Sequence, residues 1–238
     1  MSRTALVTGA SGGIGRATAR DLGRDHDVLV HYYSNSEAAE SVVADVRETG
    51  NGAVSYQCDV SDPDAVARMV ERARDEFGPV DVLVNNAATI ARLELLEQSR
   101  ERVQRTLAIN LEGPINCTRE VLAGMCERGE GWIVNVSSTA GTRGSPSDPA
   151  YGASKGGVIG FTKSLSRQHT EDGVFSNVVA PGPTDTEMFP PERRPAAIDD
   201  LPTGRLLQPA EIASAIRFFA TTTSVSGAVL EVDAGKNP

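Results

Sequence analysis

The stretch Thr4-Ala5-Leu6-Val7-Thr8-Gly9-Ala10-Ser11-Gly12-Gly13-Ile14-Gly15 decides the fold of this chain. Its apolar beginning has the length and residue types of a β-strand, and a helix-like segment follows the glycines. Glycines let the backbone turn sharply, and the unpaired N–H groups and partial positive charge of a helix N-terminus attract an anion. The stretch predicts a strand–turn–helix unit that binds a pyrophosphate, with a simple tight turn as the alternative.

Apolar runs of strand length alternate with amphipathic segments of helix length along the rest of the chain. Further strands are predicted at residues 28–32, 53–58, 80–84, 132–136, 174–179 and 228–232, and further helices at residues 37–48, 63–77, about 99–128, 151–169 and 209–221. Strands rich in β-branched residues and joined by helical crossovers require a parallel sheet covered on both faces. We therefore predict an α/β fold, a single Rossmann-like domain over residues 1–238 with a doubly wound, seven-stranded parallel sheet.

The composition restricts the class of protein. The 238 residues carry a formal net charge of −9 and are 39% hydrophobic, which excludes a disordered or fibrous chain. An acidic chain with scattered basic residues has no general attraction for nucleic acid or for anionic membranes. Because the sequence has neither a long apolar run nor a signal segment, we predict a cytoplasmic protein that does not span a membrane.

Neither the cysteines nor the histidines suggest a metal site. The cysteines are odd in number, fit no metal-ligand spacing and are interpreted as small buried hydrophobic residues in a reducing compartment: Cys58, Cys117 and Cys126. The histidines are dispersed and are interpreted as core or solvated residues: His26, His31 and His169. The sequence therefore predicts that no metal is bound.

One segment, at about residues 183–203, is too rich in proline for a long helix. It follows the C-terminal end of a predicted strand, and open α/β sheets bind their ligands at that edge. We interpret it as a lid over the site, with a plain surface loop as the alternative.

Several further motifs occur in a fixed order. Gly9, Gly13 and Gly15 are followed by Asp59-Val60, Asn85-Asn86-Ala87, Asn110, Ser138, Tyr151-x-x-x-Lys155 and Pro181-Gly182. In this order they resemble the short-chain dehydrogenase/reductase family over essentially the whole chain. Two departures are visible, Ala88 and Ala234, where the family commonly has glycine. Each adds one methyl group, so we expect local adjustment without loss of binding.

The resemblance implies a bound nicotinamide dinucleotide. Asp59 is then expected to accept from the adenine amino group, residues near Asn86 to flank the adenosine, and residues 181–186 to contact the carboxamide. The implied contacts are Gly9, Ser11, Gly12, Gly13, Ile14, Gly15, Tyr32, Ser34, Asn35, Asp59, Val60, Asn86, Ala87, Tyr151, Lys155, Pro181, Gly182, Thr184 and Thr186.

The end of the second strand bears on which dinucleotide is bound. An acidic residue there favours a free ribose 2′-hydroxyl, whereas a 2′-phosphate requires hydroxyl groups or cations. The segment His31-Tyr32-Tyr33-Ser34-Asn35-Ser36 has no acid before Glu37. We therefore predict NADP(H) in preference to NAD(H). Gly12 replaces the basic residue that often accompanies the phosphate, and Arg16 is a candidate substitute.

Tyr151 and Lys155 are four residues apart on a predicted helix, so they share one face. An ammonium about 4 Å away would move the phenol pKa from about 10 toward neutrality and make Tyr151 an acid–base catalyst. By the resemblance, Ser138 holds the substrate oxygen, with Ser137 as its closest competitor, and Asn110 supports a water near the lysine. An ordinary amphipathic helix surface is the alternative.

Within the family the chain is most similar to the 3-oxoacyl-thioester (acyl-carrier-protein) reductases. The expected partner is a small carbonyl or alcohol substrate. A sugar, polyol or small secondary alcohol dehydrogenase and a non-catalytic dinucleotide-binding regulator are the alternatives. Arg92 and Arg143 fall in segments that line the family's substrate pocket, where either could hold a carboxylate or phosphate. A solvated surface arginine is the alternative, and it is the favoured interpretation for Arg92. The resemblance also implies a homo-oligomer, a tetramer or dimer, that pairs through the helix carrying Tyr151 and the long helix before it. The small residues at 156–161 suit this pairing, or burial against the protein's own sheet.

Overall fold

Seven strands form one parallel sheet in the order β3-β2-β1-β4-β5-β6-β7. The computed structural model describes residues 2–236. The strands are β1 (Arg3–Val7), β2 (His26–Tyr32), β3 (Ala53–Gln57), β4 (Val80–Asn85), β5 (Gly131–Val136), β6 (Val174–Pro181) and β7 (Val229–Val232). The predicted Rossmann-like, seven-stranded architecture is confirmed. The chain reverses its direction of strand addition between β1 and β4, which is where such sheets open a ligand crevice.

Helices cover both faces of the sheet. They are α1 (Gly13–Leu22), α2 (Ser36–Glu48), α3 (Pro63–Phe77), α4 (Arg100–Leu107), α5 (Gly113–Arg128), α6 (Thr139–Arg143), α7 (Pro149–His169), α8 (Arg194–Asp199) and α9 (Pro209–Thr221). The buried side chains of α1, α2 and α9 form one core against the sheet, and those of α3, α5 and α7 form the other. Among the described residues, no helix combines the length and apolarity needed to cross a membrane.

The predicted helix at about residues 99–128 is interrupted. A π-helical turn at Ala108–Glu112 separates α4 from α5. Pro114 occupies the first turn of α5 and has no N–H to donate to the carbonyl four residues earlier, so the regular helical ladder cannot run through this point. The turn places the Asn110 side chain in the interior.

The glycine-rich turn after β1 is tied to its neighbours by buried side chains. Gly9 has a φ of +63° and donates its N–H to His31 Nδ1 at 3.0 Å. His31 Nε2 lies 3.1 Å from the Cys58 carbonyl, and burial lowers the pKa of this histidine to about 4. A neutral His31 therefore accepts from the turn and donates to the chain after β3, which confirms it as a core histidine. It also holds the turn in place.

The other side of the turn is joined to β4. The Thr8 hydroxyl accepts from the N–H groups of Asn86 and Ala87 at 2.9 and 3.0 Å. The Asn86 side-chain amide donates to the Thr8 and Gly9 carbonyls at 2.9 and 3.1 Å. The ends of β1 and β4 are thus fixed side by side at the opening of the crevice.

Candidate active site

A cavity of about 740 Å³ opens at the carboxyl ends of β1, β4, β5 and β6. Many of the residues predicted to bind the cofactor or act in catalysis line it: Gly9, Ser11, Gly12, Gly13, Ile14, Asn86, Ala87, Ser138, Tyr151, Lys155, Pro181, Gly182, Thr184 and Thr186. The structure therefore brings the glycine-rich turn and the Tyr–Lys pair to one site, although they are separated by more than half of the chain.

The remaining predicted residues lie outside the cavity lining: Gly15, Tyr32, Ser34, Asn35, Asp59, Val60 and Asn110. A Cβ on Gly15 would lie 2.2 Å from the Gly9 carbonyl oxygen, so this glycine permits α1 to approach the turn. The Asn35 side chain accepts from the Ala38 N–H and caps α2. The cofactor contacts predicted for these residues remain predictions.

The Asp59 carboxylate accepts hydrogen bonds from two side chains that the sequence analysis did not identify, those of Arg105 and Ser61. Arg105 Nη2 donates to the carboxylate at 2.7 Å, and the Ser61 hydroxyl donates to the other oxygen at 2.7 Å. These contacts hold the pKa of Asp59 below its ordinary value, against the opposing effect of burial. The Arg105 guanidinium also lies 5.9 Å from the centre of the Tyr33 ring, so a cation stands beside the chain that follows β2.

The catalytic candidates are positioned by α7 and by the end of β5. The Ser138 hydroxyl and the Tyr151 phenol line the same cavity, and the Ser138 hydroxyl acts to lower the pKa of the phenol. The Ser138 hydroxyl also accepts from the Ala140 N–H at 3.1 Å. Ser137 is turned the other way, because its buried hydroxyl donates to the Lys155 carbonyl at 2.8 Å. Of the two serines, Ser138 is the one whose hydroxyl acts on the Tyr151 phenol.

Lys155 is buried below Tyr151. Its Nζ donates to the Val136 carbonyl at 2.8 Å and lies 5.9 Å from the centre of the Tyr151 ring. Burial lowers the pKa of this lysine to about 8, because the charged form loses its hydration. The side chain can therefore exchange a proton near neutral pH.

The expected lowering of the phenol pKa by the Lys155 ammonium is wrong for this structure. Burial raises the pKa of Tyr151, and the Asp148 carboxylate raises it further. The opposing groups are the Ser138 hydroxyl and the Arg92 guanidinium. The reason is that burial disfavours the charge on both partners of the Tyr–Lys pair.

Asn110 joins two parts of the site. Its Oδ1 accepts from the Thr89 N–H at 2.8 Å, and its Nδ2 donates to the Thr89 carbonyl at 2.9 Å and to the Ser154 hydroxyl at 3.1 Å. It thus binds the segment after β4 to the helix that carries Tyr151. The predicted water near the lysine remains a prediction.

Asp148 is a functional residue that sequence analysis missed. Its buried carboxylate accepts from the backbone N–H of Tyr151 at 3.1 Å, so it caps the catalytic helix α7. It also accepts from the N–H groups of Ala91 and Arg92 at 2.8 and 2.9 Å, and from the Gln98 side chain at 3.0 Å. One carboxylate therefore fixes the catalytic helix and the segment that carries Arg92.

Arg92 adopts a conformation that is unusual for a residue with a side chain. Its φ of +56° lies in the left-handed region, and the two hydrogen bonds from the Ala91 and Arg92 N–H groups to Asp148 hold it there. The side chain lines the cavity and donates to the Met188 carbonyl. Burial and the nearby Arg193 lower the pKa of Arg92.

Residues 183–203 contain a 3₁₀ turn at Pro191–Arg193 and the short helix α8, so the segment is not one long helix. Glu187 pairs with Arg16 at 3.3 Å, and Asp185 pairs with Arg194 at 2.7 Å. The Thr186 side chain lies against Gly13, since a Cβ added to Gly13 would be only 3.0 Å from Thr186 Cγ2. The segment therefore lies over the glycine-rich turn.

The glycine-rich turn fits a dinucleotide. A Cβ on Gly9 would lie 2.9 Å from the Ala87 Cα, whereas Gly12 faces the cavity with no neighbour closer than 3.7 Å to such a Cβ. Backbone and the N-terminus of α1 thus face the cavity, and the side chains nearest to Gly12 and Gly13 are those of Thr186 and Glu187. Ala88 lines the cavity, and Ala234 keeps a φ of +61°, which is a glycine-like conformation.

Comparison with known proteins identifies the family. The short chain dehydrogenase family model matches residues 3–196. The chain is 38% identical to a 3-oxoacyl-[acyl-carrier-protein] reductase of Synechocystis over 98% of this chain and 96% of the relative. It is also 38% identical to the cis-4-hydroxycyclohexanecarboxylate dehydrogenase of Sinomonas cyclohexanicum, with the same coverage of 98% and 96%.

Solved structures agree with this result. An actinorhodin polyketide ketoreductase variant with NADPH is 34% identical, with a TM-score of 0.94 over 99% of this chain and 97% of that chain. A dehydrogenase/reductase from Sinorhizobium meliloti 1021 is 30% identical, with a TM-score of 0.92 over 99% and 95%. Together with the sheet order and the cavity, these matches show that the chain is an oxidoreductase that belongs to the short chain dehydrogenase family.

Proposed function

We propose that the chain is an NADP(H)-dependent carbonyl reductase of the 3-oxoacyl-thioester type. The observation that carries the proposal is one cavity lined by the glycine-rich turn, the Ser138 hydroxyl and the Tyr151 phenol. The full-length similarity to the Synechocystis reductase supports the thioester as substrate. Because the Tyr–Ser–Lys arrangement is intact, it speaks against a regulator without turnover.

The backbone of the glycine-rich turn would hold the pyrophosphate, and residues 181–186 would hold the nicotinamide end of the dinucleotide. When bound, the nicotinamide supplies or accepts a hydride at its C4. Ser138 donates a hydrogen bond to the substrate carbonyl oxygen and holds it beside Tyr151. The phenol then gives its proton to that oxygen as the alcohol forms, and it accepts the proton when an alcohol is oxidised.

Lys155 replaces the proton that Tyr151 gives up. A lysine whose pKa is lowered to about 8 is close enough to neutrality to pass protons in both directions. Asn110 is proposed to support a water that connects Lys155 with solvent. Residues 183–203 are proposed to act as a lid, since their contacts with Arg16 and Arg92 bridge both walls of the cavity.

The preference for NADP(H) is supported by the end of β2. No acidic residue precedes Glu37 there, and Arg105 supplies a cation beside Tyr33. Arg16 is the other candidate for a phosphate contact, and both arginines are already paired with a carboxylate, Arg105 with Asp59 at 2.7 Å and Arg16 with Glu187 at 3.3 Å. The similar ketoreductase structure also contains NADPH.

A spectrophotometric screen tests the proposed function. Acetoacetyl thioesters, simple ketones and polyols would each be assayed with both nicotinamide cofactors, and the ratio of kcat/KM for NADPH and NADH would be measured. We expect the thioester to be the best substrate and NADPH to be preferred. A tenfold preference for NADH would contradict the cofactor assignment, and better turnover of polyols would contradict the substrate class.

A second candidate function is the oxidation of a secondary alcohol that carries a carboxylate. The observation that favours it is Arg92, whose guanidinium lines the cavity and acts electrostatically on Tyr151. Arg143 also lines the cavity, but it pairs with Glu231 at 3.4 Å. The Sinomonas relative is named for a hydroxycyclohexanecarboxylate, which is a substrate of this class.

Substituting Arg92 separates the two candidates. Arg92→Gln is expected to raise KM about tenfold or more for an anionic substrate such as acetoacetate, because a charged hydrogen bond contributes about 1.5–3 kcal/mol. KM for neutral ethyl acetoacetate should change little. Arg143→Gln is the matched control and should affect both substrates weakly. Equal KM changes for the two substrates in Arg92→Gln would exclude an anion-binding role.

We also propose that the chain forms a homo-oligomer through α7. A Cβ on Gly157 would touch Leu111, but one on Gly160 would meet nothing within 4 Å, so part of the small-residue face is open. Light scattering after size-exclusion chromatography measures the oligomeric state.

The three free cysteines suit the proposed cytoplasmic location.

A further inference from the structure

Three side chains that the catalytic site does not use converge at the end of α7. His169 Nδ1 lies 3.6 Å from Cys126 Sγ and 2.9 Å from Asp172 Oδ2. All three potential ligand atoms lie within 4.8 Å of one another. Spacing rules missed this cluster because Cys126 is 43 residues before His169 in the sequence and reaches it only in the folded chain.

A close contact between Gly129 and Gly173 fixes the backbone near the cluster. Gly129 ends α5 with a φ of +68°, and Gly173 precedes β6 with a φ of +79°. A Cβ on Gly173 would lie 2.0 Å from the Gly129 carbonyl oxygen, so only glycine allows this approach. The ends of the two helices are therefore held in a fixed relation, and so are Cys126 and His169.

The electrostatic setting favours a cation. Both α5 and α7 end at the cluster, and helix C-termini carry a partial negative charge that adds to the charge of the Asp172 carboxylate. Arg128, in the last turn of α5, is directed to the Val80 carbonyl at 2.8 Å and to Asp81 at 3.3 Å.

We propose that Cys126, His169 and Asp172 form a surface site for a divalent cation of the Zn²⁺ class, with water as the fourth ligand. A thiolate, an imidazole and a carboxylate are ligands that Zn²⁺ accepts, whereas Mg²⁺ and Ca²⁺ prefer oxygen alone. Zn–S and Zn–N bonds of about 2.3 and 2.0 Å at a tetrahedral angle place sulfur and nitrogen about 3.5 Å apart. That separation matches the distance between Cys126 Sγ and His169 Nδ1.

The Asp172 carboxylate has to move for a tetrahedral site. Tetrahedral geometry places the nitrogen and oxygen ligands about 3.3 Å apart, compared with the 2.9 Å between His169 Nδ1 and Asp172 Oδ2. Half of the Asp172 side chain is exposed, so it can rotate without disturbing the core. A bound ion would cross-link the ends of α5 and α7 at a distance from the catalytic cavity, and it would raise thermal stability by mass action.

Isothermal titration of the full, tag-free and metal-stripped protein with ZnCl2 tests the site, with MgCl2 as the comparison ion. We expect one Zn²⁺ per chain, no binding of Mg²⁺ and an increase in Tm with Zn²⁺ alone. Cys126→Ser and His169→Gln should each weaken Zn²⁺ binding at least tenfold. Glu171→Gln is the matched control, because it removes a neighbouring negative charge without removing a ligand atom.

Cobalt adds a spectroscopic readout. Co²⁺ bound to the wild type and to Glu171→Gln should show a thiolate-to-metal charge-transfer band that Cys126→Ser lacks. NADPH-dependent turnover and circular dichroism of each variant report whether it is folded, and His169→Gln decides the question if Cys126→Ser does not fold. Zn²⁺ binding that persists in Cys126→Ser and His169→Gln, equal weakening in Glu171→Gln, or no binding to the wild type would overturn the proposal.

Discussion

Replacing Tyr151 with phenylalanine is expected to lower kcat/KM for carbonyl reduction by about 10³-fold, within the range of 10²–10⁴ that general acid–base catalysis contributes. The substitution removes only the phenol hydroxyl and leaves the ring in place. The glycine-rich turn is unchanged, so the Kd for NADPH should stay within about threefold of the wild-type value. Steady-state kinetics and fluorescence titration with NADPH measure the two quantities.

The matched control for this experiment is Tyr56→Phe. Tyr56 lies on β3 and packs against the core, away from the cavity lining. Its variant should keep kcat/KM close to the wild-type value. Full activity in Tyr151→Phe would refute the assigned mechanism, and a parallel loss of NADPH binding would show that the phenol acts in binding.

Replacing Lys155 with methionine is expected to have opposite effects on activity and stability. Activity should fall by at least about 10²-fold, because Tyr151 loses its proton donor. The cofactor-free protein should become more stable at pH 7, because burying the charged lysine carries a cost. A pKa lowered from 10.5 to about 8 corresponds to roughly 3 kcal/mol. The lost hydrogen bond to the Val136 carbonyl offsets about 1 kcal/mol of that gain.

The stability advantage of Lys155→Met over the wild type is expected to decrease as the pH rises. Between about pH 8 and 10.5 the unfolded chain holds a proton on Lys155 that the folded chain has released. The stability of the wild type therefore rises relative to the variant across this interval. Urea unfolding at pH 7 and at pH 9.5 measures the difference, with the exposed Lys163→Met on the same helix as control. A difference that does not change with pH would contradict the burial of a titrating lysine.

The helices that sequence analysis located best have strong local end signals. The predicted bounds of α3 agree with the structure because the Asp62 side chain caps its N-terminus, Pro63 fits its first turn and Gly78 ends it with a φ of +96°. Likewise, Pro209 begins α9 after a capping interaction between Gln208 and Glu211. Residues close together in sequence determine these boundaries.

Features that depend on distant residues could not be predicted. Asp148 follows a turn and resembles an ordinary helix cap, yet its carboxylate also binds the Ala91 and Arg92 N–H groups more than fifty residues earlier. The raised pKa of Tyr151 has the same origin, since burial is a property of the folded chain. Composition and spacing contain no direct signal for such contacts.

The residues that line the proposed site were predicted better than the charged groups that act on the Tyr151 pKa. Motif order identified residues that do line one cavity, from the glycine-rich turn to Tyr151 and Lys155. It placed Arg92 in a segment near the pocket but favoured a solvated surface arginine, because the left-handed backbone that directs Arg92 into the cavity depends on two hydrogen bonds to a residue of another segment. The cation that acts on the phenol in the structure is therefore Arg92, whereas the sequence pointed to Lys155.

The most direct measurement follows the hydride itself. The protein would reduce an acetoacetyl thioester with NADPH in which both hydrogens at C4 are deuterium, and mass spectrometry and NMR would locate the label in the alcohol formed. If the cavity holds a carbonyl carbon against the nicotinamide, one deuterium will appear on the carbinol carbon and the hydroxyl proton will come from solvent through Tyr151. A product without deuterium at that carbon, or no NADPH-dependent product from any carbonyl substrate, would contradict the proposed reaction.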